Sequence, residues 1–165
     1  MCYRTTMYDQ LLAPTDGSPE VEQALEYAVD LAREHDATIR GLYVVNAAGY
    51  VGLPMETAWD GVSDVLRGDG ERALRRLEEI VPSDIPVETV VREGSPSRAI
   101  VEEAETSDCD LVVMGTHGRG GIDRLLLGSI TECVVRRAPV PVLTIQVDRD
   151  GVEDRPEPTS RVTLE

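Results

Sequence analysis

The sequence predicts an α/β fold, an open doubly wound parallel sheet with helices on both faces. Three observations predict it. Short apolar runs alternate with segments of helical periodicity along the chain, giving five strands and four helices in turn. The run Leu111-Val112-Val113-Met114 is apolar at every position, as expected of a central parallel strand buried on both faces. The pairs Ser18-Pro19 and Ser95-Pro96 each place a capping hydroxyl and then a proline at the start of a periodic segment.

Leu11-Leu12-Ala13 reads as the first strand, ended by Pro14 and Gly17. The helix opening at Ser18 repeats Val21, Ala24, Leu25, Ala28, Leu31 and Ala32 at helical spacing. His35 closes it as a favourable charge at the negative end of the dipole. Residues 38–45 form the second strand, and residues 46–60, broken by Gly49, Gly52 and Pro54, a loop. A helix over residues 62–81 carries Leu66, Ala73, Leu74, Leu77 and Ile80 as its stripe. Gly68 and Gly70 weaken its first half by about 1 kcal/mol each relative to alanine. Residues 87–91 are the third strand, and Glu88 within their alternation marks a partly exposed edge. Ser95 caps a third helix that turns Ala99, Ile100, Val101 and Ala104 inward. Ser129 opens the fourth, with Glu132 completing a capping box, Arg136-Arg137 suiting its C-terminus and Pro139 ending it. Residues 140–147 are the last strand. The domain spans residues 8–147, between a short N-terminal tail at 1–7 and a flexible acidic tail at 148–165.

A chain of 165 residues suits one domain with a core that needs neither disulfide nor metal. That core is aliphatic, since Phe is absent and Trp59 is the sole tryptophan. Sixteen basic residues against 31 acidic ones leave a net charge of −15, and every basic residue is arginine. Such a charge repels nucleic acid and anionic membranes. At 1 M salt the screening length falls to about 3 Å and the self-repulsion fades, which points to a salt-loving, halophilic source. No run reaches the roughly 18 apolar residues of a membrane span. The opening Met1-Cys2-Tyr3-Arg4-Thr5-Thr6 does not read as a secretory signal, so the expected location is cytoplasmic. Cys2, Cys109 and Cys133 match no metal or redox spacing, and Cys109 and Cys133 are expected as buried, reduced thiols.

In doubly wound sheets, ligands bind beyond the carboxyl ends of the strands, where the strand order reverses. Two such ends lead into unusual loops. One is Pro14-Thr15-Asp16-Gly17-Ser18. The other is Gly115-Thr116-His117-Gly118-Arg119-Gly120-Gly121, which closes at Gly128-Ser129. Glycines let the backbone approach a phosphate closely, and successive N–H groups form an anion nest. The helix starting at Ser129 adds free N–H groups and the positive end of its dipole. His117, Arg119 and Arg124 are the nearby cations. A bare G-x-x-G is weak evidence, because such short patterns also punctuate ordinary loops.

The long pattern is more specific. Gly115-x-x-Gly118, nine residues, then Gly128-Ser129 resembles the nucleotide motif of the universal stress protein family, in its ATP-binding branch. The likeness extends to Leu12-Ala13-Pro14-Thr15-Asp16-Gly17-Ser18, to Glu93-Gly94-Ser95-Pro96, to Cys109-Asp110-Leu111-Val112-Val113-Met114-Gly115 and to Pro139-Val140-Pro141-Val142-Leu143. It implies a five-stranded sheet of order 3-2-1-4-5, of the adenine nucleotide α-hydrolase-like type. It also implies ATP as ligand, with Mg or Mn held mainly by the phosphates. By this resemblance Asp16 would sit by the ribose or a metal, and Val44 would meet adenine through its backbone. Gly115, Gly118, Gly128, Ser129 and the N–H of Ile130 would hold the phosphates. Pro14, Thr15, Met114, His117 and Arg119 complete the candidate site. No residue is assigned a catalytic role.

The function so implied is that of a homodimeric, nucleotide-dependent switch in stress response. Hydrolysis would be slow at most, since the chain has no Walker-type G-K-[S/T] and no lysine. Leu143, Ile145 and Val147 alternate with Val142, Thr144 and Gln146, so the last strand reads as an edge with an apolar face, open to pairing. The family resemblance points to dimerisation there. Leu125-Leu126-Leu127 could line the cleft, pack beneath it or join a dimer contact. Two other functions stay open. One is a dimeric interaction module that needs no nucleotide. The other is an AMP-forming enzyme of the adenine nucleotide α-hydrolase type. Such enzymes carry a serine–glycine–glycine loop where this chain reads Thr15-Asp16-Gly17-Ser18.

Overall fold

A computed structural model describes residues 7–46, 58–116 and 127–146. In chain order the elements are β1 (Gln10–Thr15), α1 (Pro19–His35), β2 (Thr38–Val45), α2 (Ala58–Ile80), β3 (Val87–Glu93), α3 (Pro96–Thr106), β4 (Leu111–Gly115), α4 (Ser129–Arg137) and β5 (Val142–Ile145). The strands make one sheet of order β3-β2-β1-β4-β5, with every neighbouring pair parallel. This is the order that the resemblance implied. The tails expected at 1–7 and 148–165 lie, apart from Met7, outside the described residues.

Side-chain alternation along the central strands builds two cores. Leu11 and Ala13 of β1, with Leu111 and Val113 of β4, face α1 and α2, where Ala24, Leu25, Ala28 and Leu77 cover them. Leu12, Val112 and Met114 face the other way, onto Ile100 and Ala104 of α3 and Val134 of α4. The Asp110 carboxylate fixes the start of β1. Its Oδ2 accepts the N–H groups of Asp9 and Gln10 at 2.7 and 3.0 Å.

Several elements differ from the sequence reading for local reasons. β1 runs through Pro14 to Thr15 rather than ending at the proline. α2 begins at Ala58, inside the segment expected as a loop, whose residues 47–57 lie outside the described ones. Gly70 also has a packing role there: a Cβ would come within 2.7 Å of the Tyr43 ring, so the missing side chain lets α2 close over β2. Ser18 and Ser95 occupy the N-cap positions of α1 and α3, yet neither side chain makes a cap bond. On α3 the buried positions are Ala99, Ile100, Glu103 and Ala104, and Val101 is only half-buried. Cys109 is buried as expected, whereas Cys133 is only partly so. His35 stands in the last turn of α1, where its Nδ1 accepts the Met7 N–H at 3.3 Å and Tyr8 packs edge-on against the ring.

Glu103 is the feature that the sequence concealed. It is 2% exposed, and its carboxylate accepts Arg40 Nε and Arg92 Nε at 2.7 Å each. Arg40 also pairs with Glu88, its register partner on β3, at 2.6 Å. Burial alone pushes the Glu103 carboxyl up. Hydrogen bonds from Arg92 and Arg40 more than reverse this and hold it below the ordinary carboxylate range.

Candidate functional site

The sheet order reverses between β1 and β4, and the two strands part there. Their ladder covers only Leu11 and Leu12 against Leu111 and Val112. Beyond it β1 stays beside β2 as far as Thr15, and β4 stays beside β5 as far as Gly115. The cause lies in the sequence. The Gln10 carbonyl accepts the Asp110 N–H at 2.9 Å, so even-numbered positions of β1 point their backbone groups toward β4. Position 14 is the next such donor, and proline has no N–H to give. Pro14 therefore ends the pairing at the place where a crevice is wanted.

On the β1 side the turn after the strand is held by its own side chains. Thr15 Oγ1 accepts the Gly17 N–H at 3.1 Å, and Asp16 Oδ1 accepts the Ser18 N–H at 2.9 Å. Gly17 takes φ 76°, a conformation that favours glycine. Ser18 is buried, and its Oγ has no hydrogen-bond partner among the described residues.

On the β4 side the expected capping box does not form. Gly128 is the N-cap of α4 with φ −57° and ψ 149°, and no side chain caps the helix. Ser129 is instead the first helical residue, and Glu132 pairs with Arg136 at 2.7 Å. The first-turn N–H groups of α4 have no partner within the helix. The helix is tied to the end of β4 at two points, and that end is itself tied to β5. The Gly128 N–H donates to the Thr116 carbonyl at 2.8 Å, the Thr116 N–H donates to Ile145 at 2.8 Å, and Thr131 Oγ1 donates to the Gly115 carbonyl at 3.0 Å. Thr131 was not legible as part of the site. Its only signal is a polar residue three positions before the buried Val134.

Of the candidate residues, Pro14, Thr15 and Asp16 lie at the end of β1, Val44 near the end of β2, and Met114 and Gly115 at the end of β4. Gly128, Ser129 and Ile130 form the start of α4, with Ile130 41% exposed. Val44 and Met114 both pack on the core beneath α3 and α4. His117, Gly118 and Arg119 lie outside the described residues, as do Arg124, Leu125 and Leu126, whereas Leu127 is exposed. Among the described residues no group of three or more His, Cys, Asp or Glu is placed to hold a metal, and no helix is long and apolar enough to cross a membrane.

β5 is shorter than expected, and its apolar face is largely covered. Ile145 and Leu143 pack on the α1 side, and Val142 packs on the α3 side. Among the described residues no strand pairs with the outer backbone edge of β5, since it is last in the sheet. Val147 lies outside the described residues.

Residues 7–146 match the model of a family described as the Universal stress protein family. A universal stress protein of Methanocaldococcus jannaschii is 38% identical over 141 residues, covering 85% of this chain and 83% of that protein. One from Methanothermobacter thermautotrophicus is 34% identical over 140 residues, covering 82% and 94%. Among solved structures, universal stress protein UspA from Lactobacillus plantarum matches with a TM-score of 0.72 at 30% identity, over 84% of this chain and 98% of that one. Two more distant structures share the fold, at 24% and 19% identity with TM-scores of 0.60 and 0.65. They are a universal stress protein in complex with cAMP, and one from Archaeoglobus fulgidus in complex with dAMP. These cover 84% and 85% of this chain, and 97% and 99% of their own.

Proposed function

The chain belongs to the universal stress protein family, and from that premise we propose that it binds ATP at the β1–β4 crevice and acts as a homodimeric, nucleotide-dependent switch in stress response. One observation carries the reading. α4 starts at a glycine with no side-chain cap, and it is clasped to the carboxyl end of β4 where that strand has parted from β1. Uncapped first-turn amides at such a switch point are suited to phosphate oxygens.

The sheet order supports the rest of the pose. β2, β1 and β4 stand side by side, with neighbouring strands roughly 4.8 Å apart. Adenine beside Val44, ribose over Thr15 and Asp16, and phosphates at Gly115, Gly128, Ser129 and Ile130 follow one line across three strand ends. Pro14 and Met114 border it, and His117, Gly118 and Arg119 complete the phosphate cradle. Mg or Mn rides on the phosphates. The cAMP and dAMP complexes concern those two relatives, and both ligands are adenine nucleotides.

The dimer forms along the open edge of β5, within residues 140–147. The Thr116 carbonyl accepts from Gly128 at the start of α4 and its N–H donates to β5, so a ligand at α4 and a partner at β5 act on the same residue. Hydrolysis is slow at most. The protein works in the cytoplasm.

Calorimetric titration of ATP with Mg into the protein at high salt tests the proposal, with the Gly118→Val variant alongside. Saturable binding that the variant loses is expected. A wild-type protein that takes up no ATP would refute the nucleotide reading.

A further inference from the structure

We infer that Thr131 is a positioning residue for the phosphate site, a role that rests on the nucleotide-binding reading above. Thr131 is 3% exposed, on the first turn of a helix whose other first-turn residues, Ser129 and Ile130, face solvent. Its hydroxyl donates to the Gly115 carbonyl at 3.0 Å.

The direction of that carbonyl gives the bond its meaning. Val112 and Thr116 send their N–H groups to Pro141 and Ile145, so even-numbered positions of this segment face β5. Gly115 therefore turns its carbonyl toward β1, on the side of the crevice. An uncovered carbonyl there would compete for the first-turn amides of α4 and would present negative partial charge to a phosphate. The Thr131 hydroxyl satisfies it with a donor that the ligand does not need. The same bond fixes the α4 amides relative to Gly115.

One other bond clasps α4 to this edge of the sheet, from the Gly128 N–H to the Thr116 carbonyl, and it is backbone to backbone. Thr131 is therefore the point at which a side-chain substitution reaches the clasp. Thr131→Val keeps the shape and removes the hydroxyl. Thr131→Ser keeps the hydroxyl and removes a buried methyl. A purely structural role makes affinity follow thermal stability, whereas a positioning role makes it follow the hydroxyl.

The experiment is calorimetric titration of Mg-ATP into wild type and both variants at high salt, with a thermal melt of each. Thr131→Val should weaken the Kd by about tenfold, the size of one hydrogen bond, while Thr131→Ser stays within about twofold of wild type even where its melting temperature falls. Equal Kd values for wild type and Thr131→Val would overturn the inference while leaving the nucleotide site intact. So would Thr131→Ser weakening as much as Thr131→Val. Absence of ATP binding by the wild type would overturn the nucleotide reading and this inference with it.

Discussion

Replacing Glu103 with glutamine tests how the edge of the sheet is held. The Glu103 carboxylate accepts Nε of both Arg40 and Arg92, and Arg40 Nη2 as well, all at 2.7 Å. Glutamine keeps the shape, but it turns one acceptor into an NH2 donor that must face a guanidinium. Breaking a buried ion pair by removing one partner costs about 3–5 kcal/mol. The lower end applies here, because the Arg40 and Arg92 side chains are 21% and 49% exposed and can recover water. Arg40 also keeps Glu88. A cost of about 3 kcal/mol lowers the Tm of a chain this size by about 6–12 °C. The pH dependence has a definite sign. The Glu103 carboxyl is held below its ordinary value, so its stabilisation is complete above the unfolded-state value of about 4.3 and is lost as pH falls through the folded-state value. Thermal melts of wild type and Glu103→Gln should therefore differ by a constant amount from pH 7 to about pH 5 and converge in stronger acid. A variant melting within about 2 °C of wild type at pH 7 would refute the reasoning, because the arginines would then lose nothing by the exchange.

Two of the three glycines of α2, Gly68 and Gly70, should respond in opposite ways to alanine. A Cβ at Gly68 meets nothing within 4 Å, so Gly68→Ala should gain up to about 1 kcal/mol of helix propensity and raise the Tm by about 2–4 °C. Gly70→Ala places its Cβ 2.7 Å from Tyr43 Cδ1 and should lower the Tm, and a Gly70→Ala protein melting above wild type would contradict the packing argument. With a net charge of −15, the Tm should rise between about 0.1 M and about 1 M salt as the screening length falls from about 10 Å to about 3 Å. Melts indifferent to salt would remove the case for a halophilic source.

The fold was legible wherever one local signal decided it. Continuous apolar runs marked β4, and period-2 alternation with Glu88 marked β3 as an edge. The glycine spacing singled out the candidate site, because glycine is used where backbone must come close, and Gly118 of that spacing lies outside the described residues. What escaped the reading depends on residues far apart in sequence. Glu103 on α3 looks like one more surface acid until β2 and β3 bring Arg40 and Arg92 to it. Ser129 and Glu132 have the spacing of a capping box, but the position of a cap is set by where the chain turns. Gly128 makes that turn with its N–H on Thr116, one residue earlier than the hydroxyl suggested.

Pro14 shows why the crevice and the strand that borders it come from one residue. As a strand breaker it would end β1, yet β1 continues to Thr15 because the β2 side of the strand uses odd-numbered donors. The missing N–H falls only on the β4 side, so β1 stays in the sheet while its link to β4 is cut. The same economy governs the proposed phosphate contacts. A protein with 31 acidic and 16 basic residues sets its overall field against an anion, so attraction must come from groups a few ångströms away. Backbone amides at an uncapped helix start meet that requirement. They carry no net charge, their direction is fixed by the clasp to Thr116 and Gly115, and at such short range they are screened far less by salt than distant surface charges are. Phosphate binding built this way should persist at the salt concentrations that relieve the chain's own repulsion, whereas binding built on surface arginines would fade there.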